Sequence, residues 1–188
     1  MRLFVVRHGE TEENRKGILQ GHLPGQLTAK GKAQARLIGG RLKSVPLKVI
    51  YCSDSARARD TAKEIIKHHP GIHIIFTKDL RERFFGRHEG RFHKDIDWDS
   101  ARRNFETVAH FRQRILKVLK TASAAHPDDE VLFVTHGGSI VALFAILEKK
   151  KANFLQALPP TALSIIQIKE GKSLKILLKN DARHLQDR

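Results

Sequence analysis

The chain has 188 residues, 40% hydrophobic and 29% charged, a balance that fits one folded domain over residues 1–188 and argues against disorder. No apolar run approaches the ~20 residues that span a bilayer, the start has no signal-peptide layout, and the lone Cys52 rules out an internal disulfide. A cytoplasmic protein without a membrane partner is therefore expected.

Leu3-Phe4-Val5-Val6 predicts a buried strand running into Arg7-His8-Gly9. Residues 10–26 are polar and too long for a tight turn, so they predict a binding loop. Thr28 caps a helix reaching about residue 44, with Leu37, Ile38 and Leu42 at helical spacing. A strand over 45–51, a helix over 55–68 closed by Pro70-Gly71, and a strand over 72–76 follow. From 79 to 104 no period is sustained, which predicts a lid or substrate loop. A helix over 105–125 carries Phe111, Ile115, Val118 and Leu119 on one stripe. Leu132-Phe133-Val134 is a second buried strand, running into Thr135-His136-Gly137-Gly138, and an apolar helix spans 139–147. After Pro159-Pro160, runs at 163–168 and 174–178 flank Glu170-Gly171-Lys172 as an edge hairpin. That hairpin and the tail from 180 to 188 are compatible with a homodimer or with fraying. Alternating strands and helices predict an α/β fold.

Ligands bind at the C-terminal ends of parallel strands in such sheets. If the two histidine-bearing strands lie side by side, His8 and His136 share one crevice. A neutral imidazole attacks phosphorus, and a covalent intermediate divides one hard displacement into two. Arg7 beside it disfavours the imidazolium and offers a fork for phosphate oxygens. The plain alternative is a strand-end histidine bonded to a carbonyl. Eleven histidines scattered along the chain show no zinc spacing.

The segment Arg7-His8-Gly9-Glu10-Thr11-Glu12-Glu13-Asn14 resembles the signature of the histidine phosphatase superfamily, whose namesake group is the cofactor-dependent phosphoglycerate mutases. Further landmarks follow in order. They are Gln20-Gly21, the 27–35 stretch from Leu27-Thr28, Ser53-Asp54-Ser55-Ala56-Arg57, Leu80-Arg81-Glu82 with Gly86 and Glu89-Gly90, and Thr135-His136-Gly137-Gly138. The likeness covers essentially the whole chain. It implies a three-layer α/β sandwich with a central, mostly parallel sheet flanked by helices, like phosphoglycerate mutase.

It also implies roles. His8 is the nucleophile that becomes phosphorylated, and Arg7, Arg57 and His136 hold the transferring phosphoryl group. Glu82 is the proton donor to the leaving oxygen and then the base for water. Asn14, Gln20, Gly21 and Gly137 line the phosphate pocket. No metal or cofactor is implied, because arginines supply the positive charge. Arg59, Thr61, Ala62 and Cys52 are expected to be structural, and Glu89 to shape the loop as readily as to touch substrate. Phe105 stands where relatives often have glycine, which argues against a role for Glu106.

The chain is short, has Glu13 where mutases usually carry an aromatic residue, and lacks their long insertion after the acidic motif. Hydrolysis of a small phosphorylated metabolite is therefore expected. The alternative is a cofactor-dependent phosphoglycerate mutase, which would need 2,3-bisphosphoglycerate. Sugar phosphates, phosphoglycerates, the nucleotide-loop precursor of cobalamin and broad specificity all remain open as substrates. Arg81, Arg83, Arg87, His88, Arg91, His93 and Lys94 crowd the 83–104 loop and its approach, where they are expected to meet a second anionic group or to be solvated.

Two readings from other classes compete. The net charge of +15 suits a nucleic-acid-binding module, but the lysines are spread along helices and only 6% of residues are aromatic, so no specific nucleic acid is expected. A catalytically dead binding protein would have no need of all of Arg7, His8, Arg57, Glu82 and His136.

Overall fold

A computed structural model describes residues 1–154, 158–169 and 174–186. Its strands are β1 (Arg2–Arg7), β2 (Leu47–Ser53), β3 (His73–Thr77), β4 (Glu130–Thr135), β5 (Leu163–Gln167) and β6 (Lys175–Asp181). The helices are α1 (Glu12–Lys16), α2 (Ala29–Leu42), α3 (Ala56–Ile66), α4 (Trp98–Ala101), α5 (Val108–Ala125) and α6 (Gly137–Leu147). The strands form one sheet in the order β3-β2-β4-β1-β5-β6. Strands β1 to β4 run parallel, and β5 runs antiparallel to both β1 and β6.

The two-residue side-chain period of a strand explains why the central strands are continuously apolar. In β1, Leu3 and Val5 join Val49, Tyr51, Val131 and Phe133 in one core with Phe111, Ile115 and Val118 of α5 and Ile140 and Leu143 of α6. Phe4 and Val6 point the other way, joining Ile50, Leu132 and Val134 in a second core with Ile38 and Leu42 of α2 and Ala58 and Ile65 of α3. Both faces are thus covered. Each large side chain so buried contributes about 1.5–3 kcal/mol, so neither face of these strands tolerates a polar residue without a partner.

Several boundaries differ from the sequence expectation. Residues 10–26 contain α1, a single turn in which Thr11 Oγ1 accepts from Asn14 N at 3.1 Å and Asn14 Oδ1 accepts from Thr11 N at 3.3 Å. Five residues are too few to show a helical period. The second strand lies two residues later than expected and reaches Ser53. Helix α5 starts at Val108 because Thr107 caps it, accepting from His110 N at 3.2 Å.

The 83–104 segment is more ordered than its composition suggests. It holds α4 and three-residue turns, and its backbone pairs with residues 17–19 through Leu19 N to Arg91 O, Gly90 N to Leu19 O and His93 N to Gly17 O, each 2.8 Å. At the C-terminus β5 and β6 pair as expected, with Gln167 opposite Lys175. The predicted turn at Glu170-Gly171-Lys172 lies outside the described residues. The described part of the tail docks on α2, with Asp181 bound to Arg41 Nη2 at 2.9 Å and His184 Nδ1 accepting from Arg41 Nη1 at 3.1 Å.

Candidate active site

Strand register builds the site. Arg7 of β1 stands opposite Thr135 of β4, so the next residues, His8 and His136, leave the sheet together at its C-terminal edge. The His8 amide donates to Thr135 O at 2.9 Å. The two rings lie 5.1 Å apart between centroids, and both are buried, with 3% and 0% of their surface exposed. The expected pair of imidazoles in one crevice is therefore present.

Bonding partners fix which nitrogen of each ring carries the proton. His8 Nδ1 lies 2.7 Å from Gly9 O, which only accepts, so Nδ1 carries the proton and Nε2 keeps its lone pair. Arg57 Nε donates to His8 Nε2 at 3.3 Å and to His136 Nδ1 at 3.2 Å. His136 Nε2 must then carry hydrogen, which it directs to Ser53 Oγ at 2.8 Å and Ser55 Oγ at 3.2 Å. Burial, reinforced by Arg57 and Arg7, holds His8 well below its ordinary pKa. Burial, then Arg57 and His8, does the same for His136. Both imidazoles are consequently neutral, the form that attacks.

Arg57, on the first turn of α3, is 1% exposed, and burial lowers its pKa to about 10. Its Nη1 donates to Leu23 O at 2.5 Å and Pro24 O at 3.3 Å, and its Nη2 to Gly21 O at 2.8 Å. The 21–24 loop is thus tied across the guanidinium. Arg7 donates through Nη1 to Leu158 O, while its buried Nε has no partner among the described residues. Gly137 packs over this side chain: a Cβ there would stand 3.7 Å from Arg7 Nε. Burial lowers the pKa of Arg7, and the charge of Glu82 opposes that shift in both arginines.

Glu82 reaches in from the third side. Its Oε2 accepts from Gly138 N at 2.8 Å and its Oε1 from Arg83 N at 2.8 Å. An unprotonated imidazole nitrogen, two guanidiniums and a carboxyl thus converge where β1, β4 and α3 meet, a set able to transfer a phosphoryl group between oxygen and nitrogen.

The other expected contacts divide. Asn14 Nδ2 and Thr11 Oγ1 both donate to Gln20 Oε1, at 3.2 and 3.0 Å, and Gln20 Nε2 donates to Glu13. Asn14 and Gln20 therefore brace each other along one wall. Gly21 has φ +51°, and a Cβ there would fall 1.9 Å from Glu89 Oε1, so glycine lets the two loops meet. That same oxygen accepts from His22 N and Phe85 N at 3.0 Å, so Glu89 shapes the loop. Arg81 pairs with Asp54 through two 2.6 Å bonds and Arg83 donates to Glu106 O at 2.8 Å, while His88 is buried. Arg87, Arg91, His93 and Lys94 remain exposed.

Four residues do more than the sequence suggested. Ser53 and Ser55 orient His136, and both sit in the motif that carries Arg57. Thr61, expected only to pack, accepts from Gly9 N at 3.0 Å and donates to Arg57 O at 2.8 Å. Its place one helical turn after Arg57 was the available signal. Glu106, expected to have no role, pairs with Arg114 through 2.8 and 2.9 Å bonds and accepts from Phe84 N. The glycine that Phe105 replaces is not needed for that contact.

A cleft of about 370 Å³ opens beside this centre between His22, Pro24, Asp54, Ser55, Arg59 and Arg81. A roomier one of about 470 Å³ lies at the opposite ends of the strands, by Arg2, Val45 and Glu130, far from the convergent polar groups. The first is the relevant one on chemical grounds. Arg59 lines that cleft while its guanidinium lies over Phe76 at 5.0 Å, and Cys52 is a buried thiol whose pKa burial raises, in keeping with a structural role for the cysteine.

The family model described as the histidine phosphatase superfamily, branch 1, matches residues 3–182. An adenosylcobalamin/alpha-ribazole phosphatase of Salmonella typhimurium is 34% identical over 161 residues, covering 78% of this chain and 79% of that protein. A broad-specificity phosphatase of Saccharomyces cerevisiae is 29% identical over 203 residues, covering 100% and 88%. Among solved structures, Bacillus stearothermophilus YhfR superposes with a TM-score of 0.90 at 28% identity, covering 98% of both chains. Among the described residues no helix is long and apolar enough to cross a membrane.

Proposed function

The chain belongs to the histidine phosphatase superfamily as a phosphatase-type member, and from that premise we propose that it hydrolyses a small phosphorylated metabolite, without a metal, through a phosphohistidine at His8. The observation that carries this reading is the His8 tautomer. With Nδ1–H bound to Gly9 O, the Nε2 lone pair faces Arg57 and the second histidine.

In the first step His8 Nε2 bonds to phosphorus, the bond from phosphorus to the leaving oxygen breaks, and protonated Glu82 gives that oxygen its proton. Water then attacks phosphorus, Glu82 takes a proton from it, and the phosphorus–nitrogen bond breaks. The products are an alcohol and inorganic phosphate. Arg7 and Arg57 stabilise charge on the equatorial oxygens. Arg57 Nη1 and Nη2 already donate to carbonyls of the 21–24 loop, so an arriving phosphate meets that loop where it meets Arg57.

The test is phosphate release from a panel of phosphomonoesters in chelator, beside a His8→Ala variant, with an alkaline quench to trap acid-labile phosphoprotein. We expect release and trapping with the native chain only. Undiminished turnover by His8→Ala would sink the mechanism. Interconversion of 2- and 3-phosphoglycerate that needs added 2,3-bisphosphoglycerate, with no release, would identify a mutase instead. Because the relatives include an adenosylcobalamin/alpha-ribazole phosphatase and a broad-specificity phosphatase, the panel begins with α-ribazole phosphate and structurally varied phosphomonoesters.

A further inference from the structure

We propose that Arg114 and Glu106 are positioning residues that aim Glu82, an inference that rests on Glu82 being the proton donor.

Arg114 lies on α5, 8% exposed, and all five of its N–H groups are engaged. Nη1 donates to Asp79 O at 2.8 Å and to Arg81 O at 2.7 Å, and Nη2 donates to Glu82 O at 2.8 Å. The remaining two bonds run to the Glu106 carboxylate. Thr135 Oγ1 takes Leu80 O at 2.7 Å, Ser139 Oγ also binds Arg81 O at 2.9 Å, and His22 Nε2 also binds Glu82 O at 2.9 Å. Four consecutive carbonyls, 79 to 82, are thus held by side chains, and Arg114 takes part in holding three of them.

A buried guanidinium and carboxylate are a poor investment in stability, because their desolvation offsets most of their attraction. What this pair fixes is the path of the backbone that carries the acid. Glu106 completes the clamp: besides Arg114 it accepts from Phe84 N at 3.2 Å, and its own amide donates to Phe84 O at 2.8 Å. Glu82 is therefore bracketed in sequence by contacts to α5 on one side and to Glu106 on the other. Without Arg114 the carbonyls of Asp79, Arg81 and Glu82 lose their shared donor. A displacement of about 1 Å at a catalytic group can cost on the order of 10²-fold in rate.

A general acid matters in proportion to how poorly the leaving group departs unaided. The test compares kcat/KM, which reports the step that expels the leaving group, on p-nitrophenyl phosphate and on glycerol phosphate. Glu82→Gln, Arg114→Gln and Glu106→Gln are each expected to lose at least about tenfold more on the alkyl ester than on the aryl ester. If Arg114→Gln fails to fold, the isosteric Glu106→Gln carries the test. Equal losses on both esters in the Arg114 and Glu106 variants, with selective loss in Glu82→Gln, overturn the positioning role and leave the proposed reaction standing. Equal losses in Glu82→Gln as well overturn the acid assignment itself.

Discussion

Glu82 and Gly138 are joined by a 2.8 Å hydrogen bond from the glycine amide to Oε2, and the carboxyl lies where a side chain on residue 138 would begin. A Cβ there would stand 2.2 Å from Glu82 Oε1. Gly138→Ala is therefore expected to push the carboxyl aside and to lower kcat/KM on alkyl phosphates by about 10²-fold. The Glu82 side chain can swing away, so the melting temperature should change little. A calorimetric scan beside steady-state kinetics checks both halves, and unchanged kinetics would refute the aim of the acid.

Thr61 ties the loop that follows His8 to the Arg57 helix through one hydroxyl. Thr61→Val keeps the shape but leaves the buried Gly9 amide unpaired, which costs about 1–3 kcal/mol. For a chain of this size each kcal/mol lowers the melting temperature by about 2–4 °C. Thermal unfolding of the variant measures it, and a loss of activity should accompany the loss of stability.

The pH dependence follows from the neutral histidines. Protonation removes the His8 lone pair, and its folded pKa is held well below its ordinary value by burial, then Arg57 and Arg7. The acid limb of kcat/KM should therefore lie below about pH 6.5, the value for an unperturbed imidazole. In Arg57→Met, which removes the largest charge contribution but not the burial, NMR titration of His8 should show its midpoint moved upward. An unmoved midpoint would remove Arg57 from the account.

Stability should fall as the solution is acidified. His184 Nδ1 accepts from Arg41 Nη1 at 3.1 Å, and its Nε2 binds Thr161 Oγ1 at 3.0 Å. Burial and the Arg41 charge lower its pKa to about 4. The unfolded chain takes up this proton near pH 6.5, while the folded chain refuses it until about pH 4. Between those limits the unfolded state binds more protons, so this contribution is lost progressively as pH drops through the window. Denaturant unfolding at pH 7 and pH 5 should show the loss, and His184→Gln should reduce the difference.

Arg87, Arg91 and Lys94 remain exposed on the segment beside Glu82. The triple variant Arg87/Arg91/Lys94→Ala is expected to raise KM about tenfold for esters with a second anionic group, the order of one or two lost exposed charge contacts. Esters without that group should be unaffected. An unchanged KM on both kinds would make the loop's charge a property of its solvated surface alone.

Much of this was legible in the chain itself. Two apolar runs ending in His8 and His136 predicted adjacent strands, since a strand buried on both faces leaves no polar alternation and its end is where polar chemistry emerges. The motif around Arg57 and the acidic motif at Glu82 were readable only through their resemblance to the histidine phosphatase superfamily, because neither has a period or spacing that points to chemistry by itself. Helix α1 was not readable, being one capped turn, and neither was the order of residues 83–104, whose backbone partners at 17–19 lie far away in the chain.

Residue types alone set which groups are available for chemistry, here two imidazoles, a carboxyl and two guanidiniums. Tertiary structure alone decided how they are used. The His8 tautomer depends on a carbonyl 2.7 Å away, Arg57 bridges two histidines 49 and 79 residues distant, and Glu106 finds its role through Arg114 and Phe84. Hydrogen bonds fall off within a few tenths of an ångström and depend on direction. Such contacts exist only once strand register and helix packing have set every backbone position around them.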